Sequence, residues 1–565
     1  MRVLSRIRPL LPGSRDYAQA PRTWKGDLIA GLTVGIVALP LALAFGVSSG
    51  AGAASGLITA VVAGLVAAVF GGSNVQVSGP TGAMVVVLGP VVAVHGTGAL
   101  AVASVLAGLM VVVAGILKLG RVVAFLPWPV IEGFTLGIAV IIFLQQVPSA
   151  FGVDPGPSSN AAVSAAQALA TTSFGALLAP VALVAVVALI MVAAPRIPGS
   201  IIAIVVASVV AEVADLPVAR IGALPDSLPA PTVPGLNWDL ILTLAGPAAT
   251  IAALAAIESL LSARVAASIS DTGPYDPDRE LFGQGLASVA SGFFGGMPAT
   301  GAIARTAVNV RSGDRTRLAA ITHALVLLAV VYFATGPVSR IPLAALAGVL
   351  MVTAARMVSV DTLRSVVGST RADTVVFFVT AVITVSLDLI QAVEIGILTA
   401  AFFALRALVR SSGVHREEIP GPAQDGDAHI AVFRLDGALF FAAAERVLER
   451  VSGIRDVDVV IIRMSQLQAL DATGARVITD IVTALERRGI TVLIKGIQDR
   501  HLHLITKVGV LESLRHHEHL FAELDPAVEH ARSHVARNRA ARTTALLGQD
   551  PAAFTGSGPH PGSPS

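Results

Sequence analysis

Hydrophobic residues in this chain come in long, nearly unbroken runs, not in alternation with polar ones. In the first half the clear runs are Asp27–Phe45, Ala51–Phe70, Leu100–Leu117, Val130–Val147, Phe174–Ala194 and Ser200–Val213. In the second they are Leu240–Ile257, Leu318–Phe333, Leu343–Val352, Val375–Leu387 and Val393–Leu408. A helix needs about 20 apolar residues to cross a bilayer. Two further segments, around Thr81 and Thr300, are apolar but interrupted, and Leu281–Gly296 is Gly-rich. Together the pattern predicts an α-helical membrane protein of about fourteen membrane segments.

The pattern changes after Arg410. Residues 411–428 are polar with Gly and Pro and read as a linker. His429–Gly437, Val457–Met464 and Ile490–Gly496 then read as strands, with helices at Ala472–Arg488 and Arg500–Val508, which predicts a small soluble α/β domain over 429–535. Residues 536–565 are rich in Ala, Gly, Pro, Ser and Arg and read as a disordered tail. Residues 1–25 are Arg-rich, carry no signal-peptide core, and read as a cytoplasmic lead-in.

The interrupted segments resemble each other. Ser78-Gly79-Pro80-Thr81-Gly82-Ala83 and Met297-Pro298-Ala299-Thr300-Gly301-Ala302 each place a proline close to Thr-Gly-Ala, and forty residues separate both Pro40 from Pro80 and Glu258 from Pro298. This spacing predicts an internal repeat, about 26–215 and 237–410. Backbone groups freed by a break cannot be satisfied by lipid, so such segments survive where they line a cavity, and paired ones point to a transporter's binding site. Each should be a short β-like stretch leading into a half-helix. Two half-helix N-termini brought face to face make an anion site without a metal. The candidate substrate residues are therefore Thr81, Gly82, Ala83, Gly301, Ala302 and Arg305, with Thr300 beside them. Arg305 either adds charge at the helix end, pairs with a carboxylate or reaches the cytoplasmic surface. Glu258, within an apolar region, is the candidate coupling residue, because intramembrane ionisable groups default to function. It could carry a proton, ligate sodium with Ser262 and Thr300, or pair with Arg264 or Arg305.

Composition agrees with a membrane location. Charged residues are 13% and hydrophobic ones 54%, against roughly 25% charged in soluble domains. The net charge of +2 gives no footprint for nucleic acid. Cysteine is absent, which excludes disulfides and thiolate chemistry. With the N-terminus inside, predicted cytoplasmic loops hold Lys118, Arg121, Arg196, Arg264, Arg279, Arg311, Arg315, Arg317, Arg356, Arg364 and Arg371, whereas the outer loops hold only Arg220 and Arg340. That asymmetry predicts an even number of spans with both termini cytoplasmic. Glu132 reads as a helix-start anchor, Asp388 and Glu394 as flanking a turn, and His323 as a packed core residue. No phosphate loop, zinc-binding histidine pair or nucleophile elbow is read, so no enzyme activity, catalytic residue, metal or bound cofactor is expected.

The segments Gly26–Val34, Gln76–Ala83, Ile257–Ala263 and Thr300–Thr306 resemble the SulP sulfate-permease and anion-exchanger family, over about Trp24 to Leu524. The resemblance implies a seven-plus-seven inverted repeat divided into core and gate domains, moving as an elevator in a bacterial inner membrane, and a homodimer. After residue 428 the chain resembles a STAS domain, which implies Thr473 in Asp471-Ala472-Thr473-Gly474 as a possible phosphorylation position, beside the plainer role of a helix start. A protein partner for this domain is a further implication. The implied function is secondary active transport of sulfate, bicarbonate, chloride, oxalate or C4-dicarboxylate. Glutamate at position 258 implies H+ symport; Na+-coupled bicarbonate symport is the alternative. An uncoupled anion channel, a nucleobase transporter and a membrane-anchored signalling protein are the rivals.

Overall fold

A computed structural model describes residues 7–121, 127–156, 158, 160–170, 174–193, 199–235, 237–387, 389–411, 413–440, 447–451 and 453–547. Arg196 and Asp388 lie outside the described residues. The chain divides near Ala400 into two compact units.

The first unit is helical. Its first half holds α1 (Ala20–Ser48), α2 (Ala53–Phe70), β1 (Ser78–Gly79), α3 (Gly82–His95), α4 (Gly98–Ile116), α5 (Trp128–Phe151), α6 (Ala161–Ala170), α7 (Phe174–Ala193) and α8 (Gly199–Val213). The second holds α9 (Trp238–Ile269), α10 (Pro277–Phe293), β2 (Thr300–Gly301), α11 (Ile303–Arg311), α12 (Leu318–Phe333), α13 (Leu343–Met357), α14 (Val360–Val367), α15 (Arg371–Ser386) and α16 (Leu389–Ser411). Setting aside α6 and α14, each half supplies seven membrane segments, as the hydrophobic pattern predicts.

The two halves interlock. Helix α1 packs on α12, α2 on α10, and α4 on α9 and α10, forming one bundle; α5 packs on α13 and α15 in a second. Lipid gives helices no hydrophobic reason to associate, so small residues that let backbones approach supply the contact. At the α4–α10 crossing a Cβ on Gly108 would lie 2.7 Å from the Gly285 carbonyl.

One buried carboxylate ties the halves together. Asp27 is fully buried in α1. It accepts from the Arg315 and Thr316 backbone N–H groups at 2.7 and 3.1 Å, and from the Thr316 and Thr23 hydroxyls, each at 2.7 Å. Asp27→Ala would strand two backbone donors, each costing about 1–3 kcal/mol when buried and unpaired. The expected result is a drop of several degrees in the unfolding temperature of the detergent-solubilised protein; an unchanged temperature would remove the clamp. At the N-terminal side Asp16 receives both Nη1 and Nη2 of Arg279, at 2.9 and 2.7 Å, and this pairing holds its carboxyl down at about 2. Arg220 and Arg340, which the charge pattern assigns to outer loops, both pair with Glu212.

The second unit is an α/β sheet of strands β3 (Gly413–Glu417), β4 (Ile430–Leu439), β5 (Val459–Arg463), β6 (Leu467–Leu470), β7 (Thr491–Lys495) and β8 (Leu520–Phe521). The order is β3-β4-β5-β7-β8, with β6 also pairing β4; β3 is antiparallel to β4 and the rest are parallel. Helices α17 (Ala472–Arg487) and α18 (Asp499–Val508) bring Ile478, Val482, Leu485 and Ile505 to one face. Helix α19 (Leu524–Leu547) brings Ala527, Val528, Ala531 and Val535 to the other.

Two expectations are corrected here. The linker contains β3: only Val414 is buried in it, and its flanking charges Arg416 and Glu417 gave it a polar reading. The tail does not begin at residue 536, because α19 continues to Leu547. None of the described side chains over 536–543 is buried, and the stretch mixes Ala, Thr and Arg without an apolar face, which hides the helix in composition.

Candidate functional site

The two interrupted segments cross. Strands β1 and β2 pair antiparallel, Ser78 opposite Gly301 and Gly79 opposite Thr300. Each then turns into a half-helix, so the N-terminal ends of α3 and α11 face one another. The freed backbone finds partners within the protein. Ala302 N–H donates to the Val77 carbonyl at 2.9 Å. Val77 N–H donates to the Thr306 hydroxyl at 3.1 Å, Gly301 N–H to the Ser259 hydroxyl at 3.0 Å, and Asn309 Nδ2 to the Val75 carbonyl at 2.9 Å. Gln76 Nε2 donates to the Ser259 carbonyl at 3.3 Å. Irregular backbone at membrane depth is tolerable on these terms.

Glu258, half-buried on α9, sits over the crossing. Its Oε2 accepts the Thr81 and Thr300 hydroxyls, each at 2.8 Å, and the two hydroxyl oxygens lie 3.2 Å apart. The paired threonines of the two repeats thus converge on one carboxylate oxygen. Neither side chain caps its half-helix: Thr81 precedes α3 with extended backbone and no side-chain cap, and Ala302, not Thr300, stands at the N-cap of α11. Among the described residues Glu258 makes no ion pair with Arg264 or Arg305.

Arg305 is 2% exposed. Its Nη2 donates to the Pro80 carbonyl, joining the half-helix of one repeat to the broken segment of the other, while its buried Nη1 has no hydrogen-bond partner. A Cβ on Gly79 would lie 2.7 Å from Nη1, so a larger residue there would push the guanidinium aside. Gly301 is equally constrained, since its Cβ would fall 1.6 Å from Gln76 Nε2. Gly82 lies against Ile142 of α5 and Phe45 of α1, and Ala83 and Ala302 are buried.

Ser262 stands apart from this group. It is buried, and its hydroxyl lies 3.4 Å from that of Thr306; among the described hydrogen bonds none joins it to Glu258. Ser259, given no role in the sequence reading, holds the Gly301 N–H instead. A cavity of about 70 Å³ opens between the two bundles. Glu258, Leu261 and Ile303 wall it on one side; Val130 and Phe134 of α5 and Val393 of α16 wall it on the other. The apolar part of that wall, Phe134 and Ile303, was not singled out in the sequence, because hydrophobic residues in an apolar span carry no signal of their own. His323 is fully buried in α12 with neither ring nitrogen partnered. Glu132 accepts from the Trp128 indole at 3.0 Å at the start of α5. In the second unit Asp471 caps α17 by accepting from Gly474 N–H at 2.7 Å, and Thr473 is exposed in the first turn.

Seven-plus-seven membrane segments, with two broken ones crossing at a buried charge, define a helical membrane transporter. The chain belongs to the sulfate permease family, whose sequence model matches residues 24–380; the STAS domain model matches residues 422–527. YvdB of Bacillus subtilis is 34% identical over 503 residues, covering 86% of this chain and 94% of that one. The bicarbonate transporter BicA of Picosynechococcus is 30% identical over 491 residues, covering 80% and 85%. The structure of the murine anion transporter Slc26a9 in its inward-facing state superposes with a TM-score of 0.78 at 17% identity, over 94% of each chain, and so shares the fold.

Proposed function

We propose that the protein is a secondary active, H+-coupled symporter of a small oxyanion, with bicarbonate or sulfate ahead of a C4-dicarboxylate. The observation that carries this reading is the convergence of Thr81, Thr300 and Glu258 beside the buried Arg305. The N-terminal ends of α3 and α11 present backbone donors and positive potential, and the small residues Gly82, Ala83, Gly301 and Ala302 let the neighbouring side chains close around those ends. Arg305, with Nη1 unpartnered, adds the charge that draws the anion. Among the described residues Glu258 meets two hydroxyls and forms no ion pair, so it can take a proton and donate it to one threonine oxygen while still accepting from the other. The site moves as an elevator, the bundle holding the crossing sliding against the bundle of α5, α13 and α15. The protein is placed by this reading in a bacterial inner membrane as a homodimer with cytoplasmic termini, and its STAS domain regulates it, with Thr473 as a phosphorylation position and an unidentified protein partner.

Sodium coupling is the second reading, favoured by the same cluster: three oxygens within 3.2 Å of one another, one of them on a carboxylate. The test is uptake of labelled sulfate, bicarbonate and fumarate into proteoliposomes, under an inward proton gradient, an inward sodium gradient, or neither. Proton-stimulated uptake of one anion is expected. Uptake stimulated only by sodium would transfer the coupling to that ion, and uptake governed by voltage alone would identify a channel.

A further inference from the structure

Histidines unused by the transport reading gather in the second unit. No zinc-binding pair is read in the sequence; the structure brings three histidines of this unit together. His530 and His534 lie one turn apart on α19, with their Nε2 atoms 3.2 Å apart. His519, in the short turn before β8, turns its ring toward both, with ring centroids 5.5 and 5.3 Å away. One ligand atom from each of the three lies within 4.8 Å of the others.

We propose that His519, His530 and His534 bind a divalent transition-metal ion of the zinc class. Imidazole nitrogen suits zinc, copper and nickel, and no thiolate competes in a chain without cysteine. Zinc–nitrogen bonds of about 2.0–2.1 Å set a tetrahedral edge of about 3.3–3.4 Å. The His530–His534 separation already matches that edge, and His519 closes onto it by a shift of about an ångström or so. A hydrogen bond between His530 and His534 would explain their approach without a metal. It would not explain His519, which is 1% exposed and whose Nδ1 is buried without a partner. An ion held by the three rings would give His519 a polar partner that its burial otherwise denies it. A fourth position falls to water or to His516, whose ring stands edge-on to that of His519 at 5.4 Å.

The placement gives the ion mechanical work. Strand β8 joins the sheet through two residue pairs only, Ile494 with Leu520 and Lys495 with Phe521. The ion would bond the turn leading into this strand to α19. The rotation of α19 is already set by Arg532, whose Nε and Nη2 donate to Asp427 at 2.8 and 2.9 Å. Binding would therefore lock the β8 edge to the helix.

The experiment uses the full-length, histidine-tag-free protein in detergent, stripped by a chelator and titrated with CoCl2. One cobalt per chain is expected, with the visible absorption of a tetrahedral nitrogen site, displaced by ZnCl2. His534→Gln and His519→Gln should each weaken zinc binding by more than about 100-fold, the upper range seen for changes outside the ligand set. His503→Ala, an exposed histidine of the same unit, should leave it unchanged. Hydrogen exchange over 519–534 should slow with zinc in the native protein and not in the variants. Absence of the cobalt spectrum in native protein, or its persistence in both glutamine variants, overturns the proposal and leaves the histidine–histidine hydrogen bond.

Discussion

Glu258→Gln is expected to leave the protein folded and to reduce proton-driven uptake to the level of empty vesicles. The glutamine side chain is nearly isosteric and its amide oxygen still accepts from Thr81 and Thr300, so the crossing of the two repeats keeps its hydrogen bonds. What is lost is the capacity to bind and release a proton. Exchange of labelled for unlabelled anion needs no net proton movement, and should survive the substitution. Proteoliposomes carrying the variant should therefore show counterflow without gradient-driven accumulation. Accumulation that still follows the proton gradient would move the coupling away from Glu258.

Arg305→Ala is expected to abolish both accumulation and exchange. Its effect on stability should be small for a buried residue. The bond to the Pro80 carbonyl is charge-assisted and would cost about 1.5–3 kcal/mol to lose, but the same substitution removes a buried cation whose Nη1 is unpartnered, and relief of that desolvation offsets the loss. Arg305→Lys restores the charge as a point and not the planar fork that reaches Pro80 while leaving a second nitrogen free, so it should recover only a minor part of the rate. Transport and unfolding temperature measured on the same preparations separate the roles. A large fall in unfolding temperature with residual uptake would make Arg305 a strut between the repeats.

The parts legible in the sequence were those that composition or spacing exposes. Apolar runs mark the spans, and the Pro-Thr-Gly-Ala clusters mark both breaks. Glu258 stands out as a carboxylate in an apolar region. What could not be read depends on contacts between distant segments. Strands of two residues have no periodicity, so the Ser78–Gly301 pairing is invisible until the halves dock. Ser262 is one turn from Glu258 and looked like its companion, yet it faces Thr306; the adjacent Ser259 serves the Gly301 N–H, a difference set by how α9 is rotated against β2. Asp27 reads as the polar start of a span, and only the fold reveals the loop at Arg315 and Thr316 that closes on it. The i, i+4 spacing of His530 and His534 was readable in the chain; the approach of His519 was not.

The pairing across the repeats also constrains how the protein is made. The Val77 N–H waits for the hydroxyl of Thr306, 229 residues further along the chain, and the Val75 carbonyl waits for Asn309, 234 residues further. At about 5–20 residues per second of synthesis, the first broken segment spends roughly ten to fifty seconds without its partners. During that interval its polar backbone cannot rest in lipid. The nascent first half must be sheltered by the insertion machinery or held at the water interface until the second half emerges. Biogenesis, more than the stability of the finished bundle, is then the step at which Pro80, Thr81 and Gly82 impose their cost.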